Sequence, residues 1–376
     1  MIPGDNIILF TLFIIFCLVS IIQLIYYLCF YLAPYLYKSP ERNENKEPVS
    51  VIICARNEAE NLRSFLPSVL EQDYPTFEVI VVNDCSEDNS DDVLGSLLMQ
   101  YPNLHISSIN KDPKFTHNKK FAQFIGIKAA SNEILLFTDA DCQPESDKWL
   151  EKMTSNFTDS IDFVLGYGGY LDEKGLLNKY IRSDTMFIAM QYLGMAIRGI
   201  PYMGVGRNLA YKRSVFFRNK GFGAHNNTIS GDDDLFVNAN AAKRNTTVEF
   251  RPGSRTRSVP ASDILEWVKQ KQRHLTTARF YRMRDKFLLF LEPCSRTVFY
   301  TLFIILVSSL YLWPYAISVF GIRLIVQVTI LALTQKKLNE HKLLLNSLIF
   351  DIFSPIINSA LYFSTFQYRS GRITWK

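Results

Sequence analysis

Uncharged apolar runs lie at both ends of the chain, and short apolar runs separated by polar turns fill its middle. No charged residue occurs from Asn6 to Tyr37. That run exceeds the roughly 20 residues a helix needs to cross a bilayer. It lacks the short apolar core and small-residue cleavage site of a signal peptide, so it predicts a permanent anchor. A second uncharged run spans Thr297 to Ile322, Arg323 interrupts it, and Leu324 to Gln335 is uncharged again. Trp313-Pro314-Tyr315 predicts a tight external turn of a helical hairpin within it. A third run, Leu343 to Tyr368, carries one acid, Asp351, and a helix breaker, Pro355. Lys336, Lys337 and Lys342 precede it; Arg369, Arg372 and Lys376 follow it. A re-entrant or in-plane element broken at Pro355 keeps both basic groups on one side of a membrane.

The middle of the chain alternates two periodicities. Val49 to Cys54 is a β-branched apolar run and predicts a buried strand. Asn57 to Leu70 places Leu62, Phe65, Leu66, Val69 and Leu70 at helical spacing. Strands follow at Phe77–Val82, Leu104–Ser107 and Ile134–Thr138, with helices at Asp91–Met99 and Lys119–Ala130. Strand–helix alternation predicts an α/β domain whose mostly parallel sheet carries helices on both faces. Ligands of such sheets bind beyond the carboxyl ends of the strands.

Composition sharpens this picture. Charged residues make up 20% and apolar residues 48%, with a formal net charge of +5, which excludes a disordered chain. The small positive balance argues against a nucleic-acid partner. The cysteines, Cys17, Cys29, Cys54, Cys85, Cys142 and Cys294, form no CxxC pair, so reduced thiols are expected rather than a zinc ribbon or a disulfide scaffold. The basic residues give the orientation. Lys38, Arg42 and Lys46 follow the first apolar run, and Arg279, Arg282, Arg284, Lys286 and Arg296 precede the second, whereas the first six residues hold no Lys or Arg. The N-terminus is therefore expected outside and the polar domain in the cytoplasm.

The chemistry-bearing residues cluster at the predicted strand ends. Arg56-Asn57-Glu58, Asp84 and Asp139-Ala140-Asp141 follow the first, second and fourth strands. Any one of them alone makes a good cap or turn. Together they bring acids to one edge of the sheet. Asp139 and Asp141, two positions apart, can share a hard divalent cation that bridges to phosphates. Ser230-Gly231-Asp232-Asp233-Asp234-Leu235 crowds three acids ahead of a helical segment. A helix N-terminus accounts for some acidity, but adjacent carboxylates repel unless a cation or substrate offsets them. One of them can take a proton from an attacking hydroxyl. Gly204-Val205-Gly206-Arg207-Asn208 forms a glycine-spaced loop. Gln270, Arg273 and His274 share one helix face, and a planar guanidinium suits a diphosphate. The same basic helix also suits a surface of anionic lipid.

The order VSVIICARNEAENL, VVNDCSEDN, NKKFAQFIGIKAA, FTDADC, GVGRNLAY, SGDDDLF and QKQRH, over roughly Pro48 to Arg284, resembles the membrane-bound family 2 glycosyltransferases. The cellulose-synthase-like and hyaluronan-synthase-like enzymes are among them. The resemblance implies a GT-A fold, a nucleotide-sugar donor with a UDP-sugar favoured, Mg or Mn, and inversion at the anomeric carbon. It assigns Ala55, Arg56, Glu58 and Asp84 to the nucleoside pocket, and Lys119 to the base or phosphates. It assigns Asp139 to the ribose or donor sugar, Asp141 to the metal, and Gln270, Arg273 and His274 to the diphosphate and acceptor. Asp232 is the implied general base, with Asp233 one position away as the alternative. Three departures stand out: Gly231 replaces a glutamate, His274 a tryptophan and Asn118 a glycine. The expected organisation is an anchor over 1–37, a cytoplasmic catalytic domain over 48–260, basic interface helices over 261–296 and a C-terminal membrane region over 297–376. The expected protein is an integral membrane enzyme, of a bacterial inner membrane, that transfers a sugar to a lipid-linked or glycan acceptor. Two other readings are a polyprenyl-phosphate sugar transferase and a non-catalytic membrane protein that binds nucleotide-sugars.

Overall fold

The computed structural model describes residues 3–39, 46–110, 118–223 and 230–367. Arg42, Arg369, Arg372 and Lys376, used above for orientation, lie outside the described residues. Helix α1 (Pro3–Ile25) continues through a π-helical turn, Tyr26–Tyr31, into α2 (Ala33–Leu36). The α/β domain then runs β1 (Val49–Ala55), α3 (Ala59–Leu70), β2 (Phe77–Asp84), α4 (Ser90–Leu98), β3 (Leu104–Ile109), α5 (Lys119–Ala129) and β4 (Ile134–Asp139). It continues with β5 (Cys142–Pro144), α6 (Trp149–Thr154), β6 (Phe163–Gly166), β7 (Gly168–Tyr170), α7 (Leu176–Ile197), β8 (Leu209–Lys212) and α8 (Arg213–Arg218). It closes with α9 (Asp234–Asn240), β9 (Thr246–Glu249), β10 (Thr256–Ser258) and α10 (Ile264–Leu275). Three long helices follow: α11 (Met283–Ser308), α12 (Trp313–Leu338) and α13 (Leu344–Gln367).

The main sheet has strand order β3-β2-β1-β4-β8-β6-β9. It is parallel except for β8, which runs antiparallel to β4 and β6. Side chains alternate along β1. Val49, Val51 and Ile53 face α3, α4 and α6, while Ile52 and Cys54 face the core shared with α5, α7 and α9. Burial on both faces explains why these strands read as continuous apolar runs rather than alternating ones. A second sheet, β5-β10-β7, stands at the edge where β4 ends. Helix α7 was not anticipated. Its buried residues include Arg182 and Asp184 among the apolar ones, so no single apolar stripe marks it. It packs so tightly on the π-helical turn that a Cβ at Gly194 would lie 2.1 Å from the Phe30 carbonyl oxygen.

Among the described residues, four helical segments are long and apolar enough to cross a membrane: 7–36, 283–308, 313–338 and 344–365. They are joined by a buried polar network. Asp351 accepts hydrogen bonds from Arg296 (3.0 Å), Tyr27 (3.1 Å), Arg323 (2.9 Å) and Tyr300 (2.6 Å), and Arg323 also donates to Gln23 (3.0 Å). Charges among apolar helices persist only when paired in this way. Arg323, which interrupts the apolar run in the sequence, is 1% exposed at the centre of this network.

Three expectations for this region need correction. The turn between α11 and α12 falls at Ser309–Leu312, where Leu310 and Leu312 adopt left-handed φ; Trp313 and Pro314 instead open α12. Proline's missing N–H costs nothing in a first turn. Helix α11 begins at Met283, so the basic segment before Arg296 and the apolar run after it form one helix. Helix α13 runs unbroken through Pro355, as helices among other helices often do.

Candidate active site

The parallel order places the ends of β2, β1 and β4 side by side. Ala55, Asp84 and Asp139 therefore lie on one edge. The loops beyond β1 and β2 are cross-linked: Asn57 N–H donates to Ser86 Oγ (2.9 Å) and Glu87 N–H to Asn57 Oδ1 (2.7 Å). Asn57 and Cys85 both take φ of 55°, a left-handed conformation that a short polar side chain tolerates. Glu58 is buried at the N-terminus of α3 and accepts a hydrogen bond from Asn61. Arg56 Nε is buried and makes no hydrogen bond among the described residues. Asp84 is wholly buried, and Cys85 Sγ lies 3.5 Å from its Oδ1. Burial raises the pKa of Cys54 beside it, and the charges of Lys119, Asp232, Asp139 and Asp84 all reach this thiol.

Lys119, at the start of α5, joins the acids from distant segments. Its Nζ lies 2.6 Å from Asp139 Oδ1 and 3.7 Å from Asp232 Oδ2. Burial alone would lower the Lys119 pKa, but Asp139, Asp232 and Asp233 outweigh it and hold the pKa well above its usual value. Burial likewise opposes ionisation of Asp139, yet Lys119, Arg207 and Arg273 together lower its pKa. Asn118 caps α5, its side chain accepting from Phe121 N–H at 2.9 Å, which accounts for the polar residue in the glycine position.

The three adjacent acids have separate environments. Asp232 is 4% exposed and faces Lys119. Asp234 is buried and accepts hydrogen bonds from Thr277 and from Tyr281 (2.7 Å). Asp233 accepts from Gly206 N–H (2.7 Å) and Asp234 N–H (2.7 Å), and both Asp233 and Asp234 line a cavity. Burial first, then the charges of Asp232 and Asp234, push the Asp233 pKa up to about 7. Two glycines make this packing possible. A Cβ at Gly206 would lie 3.2 Å from Asp233 Oδ2. Gly231 has φ of +106°, and a Cβ there would meet Leu235 Cδ1 at 2.4 Å, so this backbone has no room for the glutamate it replaces.

Asp141 stands on the other side of the β4 end. Its Oδ2 accepts from Ser258 Oγ of β10 at 2.9 Å. Ligand atoms of Asp139, Asp141 and Cys142 lie within 4.8 Å of one another. Burial, then Asp141, hold the Cys142 thiol protonated, so the donors left are carboxylate oxygens. That donor set fits a hard cation such as Mg or Mn. Helix α10 covers the edge. The charges of Arg273 and Arg207 reach Asp139, and Tyr170 lies 3.4 Å from Gln270 Oε1. His274 follows Arg273 on α10 and is exposed.

A cavity of about 790 Å³ is lined by Asp233 and Asp234, by Arg207, Gln270 and His274, and by residues of α11 and α13. Its lining on α11 and α13 includes Phe290, Glu292, Asn358 and Phe363.

Two further features carry little local signal. Arg207 stacks over Tyr170, 4.2 Å from the ring centroid, with its Nη1 buried and making no hydrogen bond among the described residues. Glu340, in the α12–α13 connection, is 2% exposed and accepts from Tyr167 (2.8 Å), Arg182 (3.0 Å) and Arg257. Nothing local distinguishes Glu340 from a solvated linker acid; its partners lie more than eighty positions away.

A mostly parallel sheet with paired acids at a central strand end, covered by a basic helix, is the architecture of a GT-A glycosyltransferase. The chain belongs to glycosyl transferase family 21, whose family model matches residues 12–376. It is 36% identical over 121 residues to glycosyltransferase AglE of Haloferax volcanii, covering 31% of this chain and 38% of AglE. It is 30% identical over 105 residues to a poly-β-1,6-N-acetyl-D-glucosamine synthase of Staphylococcus epidermidis, covering 28% of this chain and 24% of the synthase. The chain thus matches well under half the length of these two relatives. These relatives support the resemblance at the level of a family-2-like glycosyltransferase. A mannosyltransferase of Pyrobaculum calidifontis, solved with GDP-Man and Mn2+, shares the fold with a TM-score of 0.58 at 16% identity, over 91% of this chain and 99% of its own.

Proposed function

We propose that this protein is a membrane-bound inverting glycosyltransferase that moves a sugar from a nucleoside diphosphate, with UDP favoured, to the hydroxyl of a lipid-linked acceptor at the cytoplasmic face of a membrane. The observation that carries this reading is the cavity running from the acid cluster to the apolar helices α11 and α13. A soluble acceptor needs no such path, whereas an amphiphile needs a polar end at the acids and an apolar end among the helices.

Asp233 is the general base in this reading. It lines the cavity, and a pKa near 7 suits a base working at neutral pH. Asp232, the base implied by the sequence resemblance, faces Lys119 and helps hold the Asp233 pKa up. The acceptor hydroxyl gives its proton to Asp233 Oδ as its oxygen bonds to the anomeric carbon. The bond from that carbon to the diphosphate oxygen breaks, and the configuration inverts. Arg207, Arg273 and Lys119 stand where they oppose the negative charge that leaves with the diphosphate. Asp139 and Asp141 would hold Mg or Mn, which would add a positive charge beside the phosphates. Ala55, Arg56, Glu58 and Asp84 would bound the nucleoside.

The test is donor turnover by the full chain in detergent, with UDP-, GDP- and dTDP-sugars, Mg or Mn, and a lipid extract as acceptor. Nucleoside diphosphate released from one donor, and lost on chelation and in Asp141→Ala, supports the reading. No release from any donor overturns it.

A further inference from the structure

Helix α13 is an unbroken apolar helix of 24 residues, so by length and composition it could span a membrane. Its contacts point elsewhere. A crossing helix delivers its two ends to opposite sides of a hydrocarbon layer about 30 Å thick. Both ends of α13, and its middle, lie instead on the α/β domain. At its start, Leu344 and Leu348 pack against the core shared with α5, α7 and α9. Glu340 clamps the connection just before them through Tyr167, Arg182 and Arg257. In the middle, the Phe350 ring meets Tyr180 and Phe187 of α7, with centroids 5.3 and 5.8 Å away. Towards its end, Ile357 and Leu361 pack against Ile181 of α7 and Trp267 of α10. Gln272 Nε2 of α10 then donates to Ser364 Oγ at 2.7 Å.

The other three long helices behave differently. Helices α1, α11 and α12 meet one another in a cluster of Phe16, Phe299, Leu306 and Ala316 that no described residue of α13 joins. Asp351 ties α13 to them at Tyr27, Arg296, Tyr300 and Arg323. Tyr27 belongs to the π-helical turn that packs on α7, so this tie lies at the domain end of the bundle. The outer face of α13 is apolar along its whole length. Leu345, Ile349, Ile352, Phe353, Ile356 and Phe363 recur at helical spacing, each between 44% and 70% exposed. The Asp351–Arg323 pair joins this stripe to the exposed apolar face of α12, where Ile322 and Ile325 flank Arg323 in sequence.

We propose that α13 lies in the plane of the membrane, its apolar stripe sunk among the acyl chains of the leaflet nearest the α/β domain, while α1, α11 and α12 cross. A helix so placed buries its apolar face about 5–10 Å into the boundary of headgroups and acyl chains. Lys336 and Lys342, both exposed near its start, then stand at the headgroups. The chain beyond α13 leaves on the side of the α/β domain. A crossing α13 would instead draw α10, with its exposed Asp263, Glu266 and Lys269, into hydrocarbon that excludes such residues. The placement concerns the bilayer alone and does not rest on the transferase reading.

The test uses the full chain in lipid nanodiscs of phosphatidylcholine and phosphatidylglycerol. Nitroxide labels are attached singly at Leu345→Cys, Ile352→Cys, Ile356→Cys and Phe363→Cys. The exposed Cys29 and Cys294 are first changed to serine, and that parent chain gives the background. Depth is read by EPR power saturation with oxygen and a nickel chelate. All four labels are expected at one level, about 5–10 Å below the headgroups. A crossing helix sets Leu345 and Phe363 roughly 27 Å apart in depth, with Ile352 and Ile356 near the centre, and that profile overturns the proposal. Labels shielded from both reagents and broadened by one another show that a second copy of the chain covers the stripe, and overturn it too. Labels at Ile317→Cys and Ile325→Cys of α12 should differ by roughly 12 Å in depth; a level profile there removes the crossing bundle that frames α13 and overturns the placement. A second measurement leaves every residue of the chain unchanged. A protease site and a tag are added after Lys376, in sealed vesicles that expose the α/β domain outside. The tag is expected to be cut without detergent. A tag cut only once detergent is added shows that α13 crosses, and the proposal falls.

Discussion

Asp233 makes a double prediction, because one carboxylate is asked both to catalyse and to stay half-buried among acids. Its pKa of about 7 lies some three units above the ordinary carboxylate value, and each unit corresponds to about 1.4 kcal/mol. The folded protein therefore holds a proton that the unfolded chain has already released. A raised carboxyl pKa contributes stability that is complete below about pH 4 and is lost as the pH climbs through about 7. Asp233→Asn removes that loss. Relative to wild type, the variant should gain roughly 2 to 3 kcal/mol between pH 5 and pH 8, read as a thermal midpoint that rises by several degrees at pH 8 and by much less at pH 5. The same substitution should abolish transfer. The wild-type rate should rise with pH along a limb of apparent pKa about 7. Asp232→Asn, which removes a neighbouring charge that raises the Asp233 pKa, should move this limb to lower pH. The reasoning is refuted if Asp233→Asn keeps transfer near the wild-type rate, or if its stability relative to wild type does not change with pH.

Other substitutions test the supporting geometry. Gly206→Ala should lower turnover by roughly tenfold with donor binding little changed, because its Cβ would lie 3.2 Å from Asp233 Oδ2; steady-state kinetics with the active donor checks this. Glu340→Gln should raise the apparent KM for Mg or Mn by roughly tenfold. It loosens Arg257, whose neighbour Ser258 holds Asp141, and a cation titration reads the effect. Asp351→Asn leaves Arg296 and Arg323 without their shared anion, at a cost of about 3–5 kcal/mol. It should cut the yield and thermal midpoint in detergent, and Arg323→Met in the same chain should restore part of the loss.

The sequence by itself determined the elements whose physics is local. The continuous apolar runs of β1, β2 and β4 and the helical spacing of Leu62, Leu66 and Val69 appear in the structure within a residue or two. The end runs became helices because a long uncharged segment has few other ways to satisfy its backbone. The acids at Asp84, Asp139 and Asp141 were legible because parallel strands deliver their ends to one edge. Only the tertiary structure decided what each acid faces. Asp232, Asp233 and Asp234 are identical and adjacent, and no local rule separates the one against Lys119 from the one held by the Gly206 N–H or the one held by Tyr281. Helix α7 escaped notice because its surface is buried nearly all round, by partners remote in the chain. Glu340, Asp351 and Glu292 likewise read as ordinary acids. Their burial depends on which helices meet, and long-range packing sets those meetings and, with them, the path from the acids to α11 and α13.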